Sequence, residues 1–442
     1  MPAQLDYVIE QTTLANGLRV VVNPDPTSPG VAVNLWYHVG SGDEQPGRTG
    51  FAHLFEHLMF AGSDQVGNGE HLAVMQAAGG SVNATTSFER TNYFETVPRG
   101  ALELALWLEA DRLASLTVDQ TNLDTQRQVV KEEKRQRYDN VPYGDQLELL
   151  MALNFPAEHP YGHTTIGAMA DLDAATLTEV QDFFRSWYSP SNAVLTLAGA
   201  IEADEGFRLA DEYFGTLTAV PAPVRSTTAA LPPHTGVPRL VVQRDVPRSA
   251  LHLGWLTPAM DHADAPAVEQ ALAVLGGGQS SRLHKDLVRD RQLAEGAGAS
   301  SIQLARGNTL ALVSARAREG VSLDTLEEAI LEHLSALGAD GPSTDEVDRA
   351  SAGYEREWLS ELAEIDSRAD QIGAFATLFG DPTLLNSHLA QVQAVTAEDV
   401  RRVSAAYLAP DQRSALEYHQ SPATPAVTST NPTAPAHSQE QA

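Results

Sequence analysis

Apolar and polar positions change period several times along this chain. Leu18 to Asn23 and Val31 to Tyr37 read as strands, the second alternating through Val31, Val33 and Leu35 as a two-faced strand requires. From about Gly50 the apolar positions recur at helical spacing, and the same spacing predicts helices over Leu102 to Leu116, Leu123 to Tyr138 and Thr176 to Tyr188. A further strand is expected at Ala193 to Leu197. Strands and helices mix without strict alternation, which predicts an α+β fold with helices on one face of a mainly antiparallel sheet. A doubly wound parallel sheet would alternate more regularly.

Between Thr216 and Pro238 the periodicity lapses into a stretch rich in Pro, Ala and Thr, as an interdomain linker would. Beyond it the strand Leu251 to Trp255 precedes a helix at Ala265 to Leu275, much as Ala32 to Trp36 precedes the helix near Gly50. The echo predicts two similar domains from a diverged duplication. The expected division is a first domain over 1–220, a linker over 221–238, a second domain over 239–420 and a disordered tail over 421–442.

A chain of 442 residues suits two domains. With 29 basic against 58 acidic residues, its formal charge of −29 repels nucleic-acid phosphates and anionic lipid. There are no cysteines, so disulfides and thiolate chemistry are excluded and any metal must use His, Asp or Glu. No basic leader opens the sequence and no apolar run reaches membrane-spanning length. The expected compartment is cytoplasmic, although an exported form whose leader had been removed would read the same way.

Candidate chemistry concentrates in Gly50 to Phe60, where His53 and His57 lie four residues apart in an apolar helical segment and so project from one face. Glu56 lies close enough to that face to act on a bound water, while Phe55 and Leu58 point toward packing. Burying three ionisable groups without a partner costs several kcal/mol, roughly. A dication is one partner, and zinc suits imidazole and carboxylate donors, with three protein ligands and a fourth place open. A hydrogen-bonded structural cluster is the other reading. The third ligand is sought in Gln126 to Glu133. There Val129 and Val130 are expected to mark the buried face, which selects Glu133 over Glu132.

The order His-x-x-Glu-His is the inverzincin motif, and on it the chain resembles the pitrilysin/insulinase family of metalloproteases from about Val20 to Leu408. The resemblance implies a zinc endopeptidase with His53, His57 and Glu133 as metal ligands and Glu56 as general base. Family members place the third ligand seventy to eighty residues after the second histidine, and Glu133 follows His57 by 76. A supporting glutamate usually lies seven residues before it; here Gln126 stands there and supplies no charge. Gly79 to Thr86 is similar to the family's edge strand, which implies substrate contacts at Asn83 and Ala84 by β-addition. His159 to His163 also looks family-like, and is read as a structured loop.

The departure falls in the second half. Where relatives carry an arginine and a tyrosine that hold the substrate, this chain has Val288 and Glu295, and Arg289 is one residue out of place. The pattern resembles heteromeric members in which one chain keeps zinc and a homologous chain keeps the other pair. A heterodimer enclosing a chamber for peptides or unfolded segments is therefore expected, with a homodimer as the other arrangement. A non-catalytic assembly subunit with a structural zinc is the alternative function. A phosphate loop at Gly276 to Gly278 lacks the Lys-Ser or Lys-Thr that should follow it.

Overall fold

The structure is a computed structural model that describes residues 5–421 apart from 222, 226 and 227. The expected tail, 421–442, therefore lies outside the described residues except for Ser421.

Eleven strands among the described residues form two sheets. The first contains β1 (Glu10–Thr13), β2 (Arg19–Pro24), β3 (Gly30–Tyr37), β4 (Ser81–Thr86), β5 (Thr91–Pro98) and β6 (Ala193–Gly199), in the order β1-β2-β6-β3-β5-β4. The second contains β7 (Arg239–Arg244), β8 (Ala250–Pro258), β9 (Ala294–Ile302), β10 (Asn308–Ala317) and β11 (Ser414–Gln420), in the order β7-β11-β8-β10-β9. Leaving β1 aside, the two orders coincide strand for strand. In each sheet one pair is parallel, β2 with β6 and β7 with β11, and the others are antiparallel. The fold is α+β, with two similar domains. Among the described residues no helix or strand lies between the Ala203–Phe214 helix and β7.

The expectation of helices on one face of each sheet needs correction, because every residue of β3 is buried. Val31, Val33, Leu35 and Tyr37 face the helices of their own half. The opposite face, with Ala32 and Trp36, is covered by residues of the second half that include Ala369, Ile372 and Ala376. Most of these lie on the Ile365–Ala374 helix, which packs across β3 and β6. The exchange is reciprocal. The Gln146–Asn154 helix of the first half packs on β8 and β11, burying Leu150 and Met151 against Ala250, Leu416 and Tyr418. Each half thus lends a helix to the other's sheet.

Predicted elements recur with shifted ends. The helix expected to run to Tyr138 is α-helical over Gln120–Lys134 and closes in a wider π-helical turn at Arg135–Asp139.

Candidate metal centre

The motif helix, Phe51–Leu58, lies between β3 and β4 and buries Phe51, Leu54, Phe55 and Leu58 in the first core. Its N-cap residue, Gly50, has a φ of 89° and offers no capping side chain. Glu44 does that work from the preceding loop: its carboxylate accepts from Gly50 N–H and Ala52 N–H, both at 2.8 Å, and contacts His163 Nε2 at 2.9 Å. Burial raises the pKa of Glu44, opposed by His163. Against the pull of burial, the hydrogen bond to Glu44 raises that of His163.

The second contributor is the Gln120–Lys134 helix, started by Asp119, which accepts from Asn122 N–H at 2.8 Å. Its buried face is narrower than expected. Val130 is fully buried, but Val129 is 43% exposed, so only the three-residue spacing from Val130 places Glu133 inward. A stripe of two adjacent residues is too wide for a helix that meets its neighbour along one line. The Glu133 side chain is 16% exposed, whereas Glu132 is 51% exposed and bonded to Arg135 and Gln136.

His53, His57 and Glu133 converge. Glu133 Oε2 lies 3.6 Å from His53 Nε2 and 3.3 Å from His57 Nε2, and all three donor atoms fall within 4.8 Å of one another. Donors held at zinc–ligand lengths on the corners of a tetrahedron are about 3.3 Å apart, so the spacing fits a shared cation. Burial, and then the charge of His57, lowers the pKa of His53 to about 4, which keeps it neutral as a metal ligand must be. Hydrogen bonding to His57 is the first cause that keeps Glu133 ionised, and Arg137 donates to its other oxygen at 2.6 Å.

Glu56 is on the same helix, and its Oε2 accepts from Thr86 Oγ1 of β4 at 2.6 Å. Burial raises its pKa despite that bond. β4 is the sheet's edge, with Asn83 exposed and Ala84 buried. Gln126 is half-buried two turns before Glu133 and makes no hydrogen bond to it among the described residues.

Among the described residues, the convergent groups of His, Asp and Glu side chains are drawn from the first half. Val288 sits in a π-helical turn, Arg289 is exposed and bonded to Asp290 at 2.7 Å, and Glu295 on edge strand β9 accepts from Arg248 Nε at 2.7 Å. In the run read against a phosphate loop, Gly276 serves packing: a Cβ there would lie 2.1 Å from Ala299 N of β9. Another convergent group, His71, Glu95 and Glu109, is buried under β5, but Arg112 donates to Glu109 and lies 4.0 Å from Glu95. A guanidinium already supplies the positive charge there. Burial drives Glu95 toward its neutral form, while against burial Arg112 holds Glu109 ionised.

Sequence reasoning missed Glu44, Thr86 and His163 as partners of the motif helix. The capping role of Glu44 had one visible signal, an acid shortly before a helix with a glycine at its N-cap.

Residues 19–166 match the family described as Insulinase (Peptidase family M16), and 174–354 match the one described as Peptidase M16 inactive domain. The chain is similar to the zinc protease PqqE of Helicobacter pylori, 32% identical over 374 residues that cover 83% of this chain and 82% of that one. Its fold superposes on the crystal structure of a protease from Helicobacter pylori with a TM-score of 0.88 and 29% identity, over 93% of this chain and all of that one. It is also similar to the periplasmic protease PqqL of Escherichia coli, with a TM-score of 0.76 and 18% identity, over 94% of this chain but 48% of that one. The chain belongs to the M16 (pitrilysin/insulinase) family of peptidases, as a half-length member.

Proposed function

We propose that this chain is the zinc-carrying subunit of a metalloendopeptidase, with His53, His57 and Glu133 holding Zn²⁺ and Glu56 as the general base. The reading rests on one observation: two imidazole nitrogens and a carboxylate oxygen converge at the separations that a shared tetrahedral cation would give. Bound there, Zn²⁺ would lower the pKa of a water to about 7 and polarise the scissile carbonyl.

The chain's own groups do the rest. Thr86 holds one oxygen of Glu56 and leaves the other to take the proton of the attacking water. Burial lifts this carboxyl's pKa, which suits a group that must return the proton to the departing amine. The open edge of β4 receives the substrate backbone as an added strand beside Asn83 and Ala84. At the two positions expected to hold an arginine and a tyrosine, Val288 and Glu295 provide neither a cation nor a hydroxyl. A homologous partner chain supplies both, and two such chains enclose the peptide.

Glu56→Gln should keep zinc and lose peptide cleavage by roughly a hundredfold or more, whereas His57→Ala should lose the metal. Cleavage is to be assayed for the chain alone and with a homologous chain lacking the motif. Equal cleavage by wild type and Glu56→Gln removes the proposed base. Val288 and Glu295 favour a second reading, an assembly subunit with structural zinc. Zinc retention with no cleavage alone or in the mixture would select it.

A further inference from the structure

Asp370 lies on the Ile365–Ala374 helix that the second half lays across the first sheet. Three side chains of the first half donate to its Oδ1: Trp36 Nε1 at 2.7 Å, Asn92 Nδ2 at 2.8 Å and Asn34 Nδ2 at 3.2 Å. All three donors belong to buried residues. Asn92 also donates to Asn34 Oδ1 at 3.2 Å, so both hydrogens of its amide are directed at the Asp370 side of the sheet. Its Oδ1 is thereby turned toward β4, where it accepts from Thr85 Oγ1 at 2.6 Å. A second route runs through Trp36. Its ring lies 5.0 Å below the Arg90 guanidinium, and Arg90 donates to Thr85 O at 3.0 Å and to Thr85 Oγ1. Both routes end on Thr85, whose neighbour Thr86 holds Glu56.

We propose that Asp370 is a positioning residue for the metal centre: by fixing Asn92 and Trp36 it sets Thr85, and with it the strand that presents Thr86 to Glu56. The half of the chain without metal ligands thus acts on the site from the far face of the sheet. Glu56 enters here in the role argued above, but the placement of β4 stands without it. Without Asp370 the Asn92 amide keeps only its 3.2 Å bond to Asn34, which has itself lost its anchor on Asp370, so Asn92 loosens its hold on Thr85.

The test uses the full-length chain with Asp370→Ala, which removes the acceptor, and Asp370→Asn, which keeps an oxygen for the same three donors. Hydrogen exchange followed by mass spectrometry on the metal-free protein reads β4 directly. Asp370→Ala should speed exchange of 81–86 at least tenfold while the Leu102–Ser115 helix is unchanged, and Asp370→Asn should restore it. In the zinc-loaded, assembled enzyme, Asp370→Ala should keep one zinc per chain and lower kcat about tenfold, with Asp370→Asn within threefold of wild type. If Asp370→Ala does not fold, Thr85→Val should give the same local loosening by removing the shared hydroxyl. Unchanged β4 exchange in Asp370→Ala, or in Thr85→Val where that variant decides, overturns the proposal. So does faster exchange spread over the whole chain. A wild type that cleaves nothing would sink the peptidase reading, and the exchange measurement would still decide this one.

Discussion

At the head of the motif helix Glu44 gives up water entirely, and three donors replace it. Glu44→Ala would strand two backbone N–H groups and leave His163 Nε2 only the Ser41 carbonyl at 3.0 Å, a loss of about 2–4 kcal/mol that urea unfolding would register. The same variant should weaken zinc binding, since the first turn before His53 loosens. His252 offers a pH test. Burial lowers its pKa from 6.5 to about 4, so the native state keeps it neutral while the unfolded chain protonates it first. Its contribution is complete above about pH 6.5 and is lost as pH falls toward 4. Between pH 7.5 and 5.0 the unfolding free energy should drop by about 2 kcal/mol on this account, and His252→Asn should remove that share. His38, lowered to about 3 chiefly by burial, adds a drop of the same sign that the variant keeps. The convergence of His53, His57 and Glu133 was legible because spacing on a helix determines which side chains share a face. Glu44 and Thr86 carry no such period: one caps from a loop and the other reaches across from a strand.

Elements were legible wherever a buried stripe repeats within one segment, as in β2, β3, β6 and the helices over 51–58, 102–115 and 177–187. What a single segment cannot encode is the identity of its cover. β3 reads as alternating, yet Ala32 and Trp36 on its second face are as buried as Val31 and Leu35, because a helix more than three hundred residues later lies on them. The close of the Ala265–Gly276 helix gives an element-level prediction. A methyl on Gly276 would sit 2.1 Å from Ala299 N and 2.5 Å from Gly298 C, both backbone atoms. Gly276→Ala should therefore push the helix off β9 and cost about 2–4 kcal/mol, although alanine favours the helix by about 1 kcal/mol. Thermal unfolding would show it as a lowered midpoint without loss of zinc.

Across the whole molecule a buried charge cluster joins the halves. Arg306 of the second half meets Asp43 at 3.0 Å and Glu89 at 3.1 Å, its backbone N–H donates to Tyr161 Oη at 2.8 Å, and Arg225 donates to Asp43 at 2.6 and 2.9 Å. Arg306→Ala would leave two carboxylates short of one cation, costing about 3–5 kcal/mol, and calorimetry should show a single transition at a lowered midpoint, since neither half can stay folded without the other. The lent helices carry this further. Because each sheet borrows its lid from the other half, neither half is a self-sufficient folding unit, and the connection between them is dispensable once both exist. A protease site placed at Gly236, where an added Cβ meets nothing within 4 Å, should yield a nicked protein whose fragments travel as one particle. Expressed apart, each fragment should aggregate until the other is supplied. On the proposed enclosure of a peptide by two chains, opening would then be a movement between chains rather than between the halves of one.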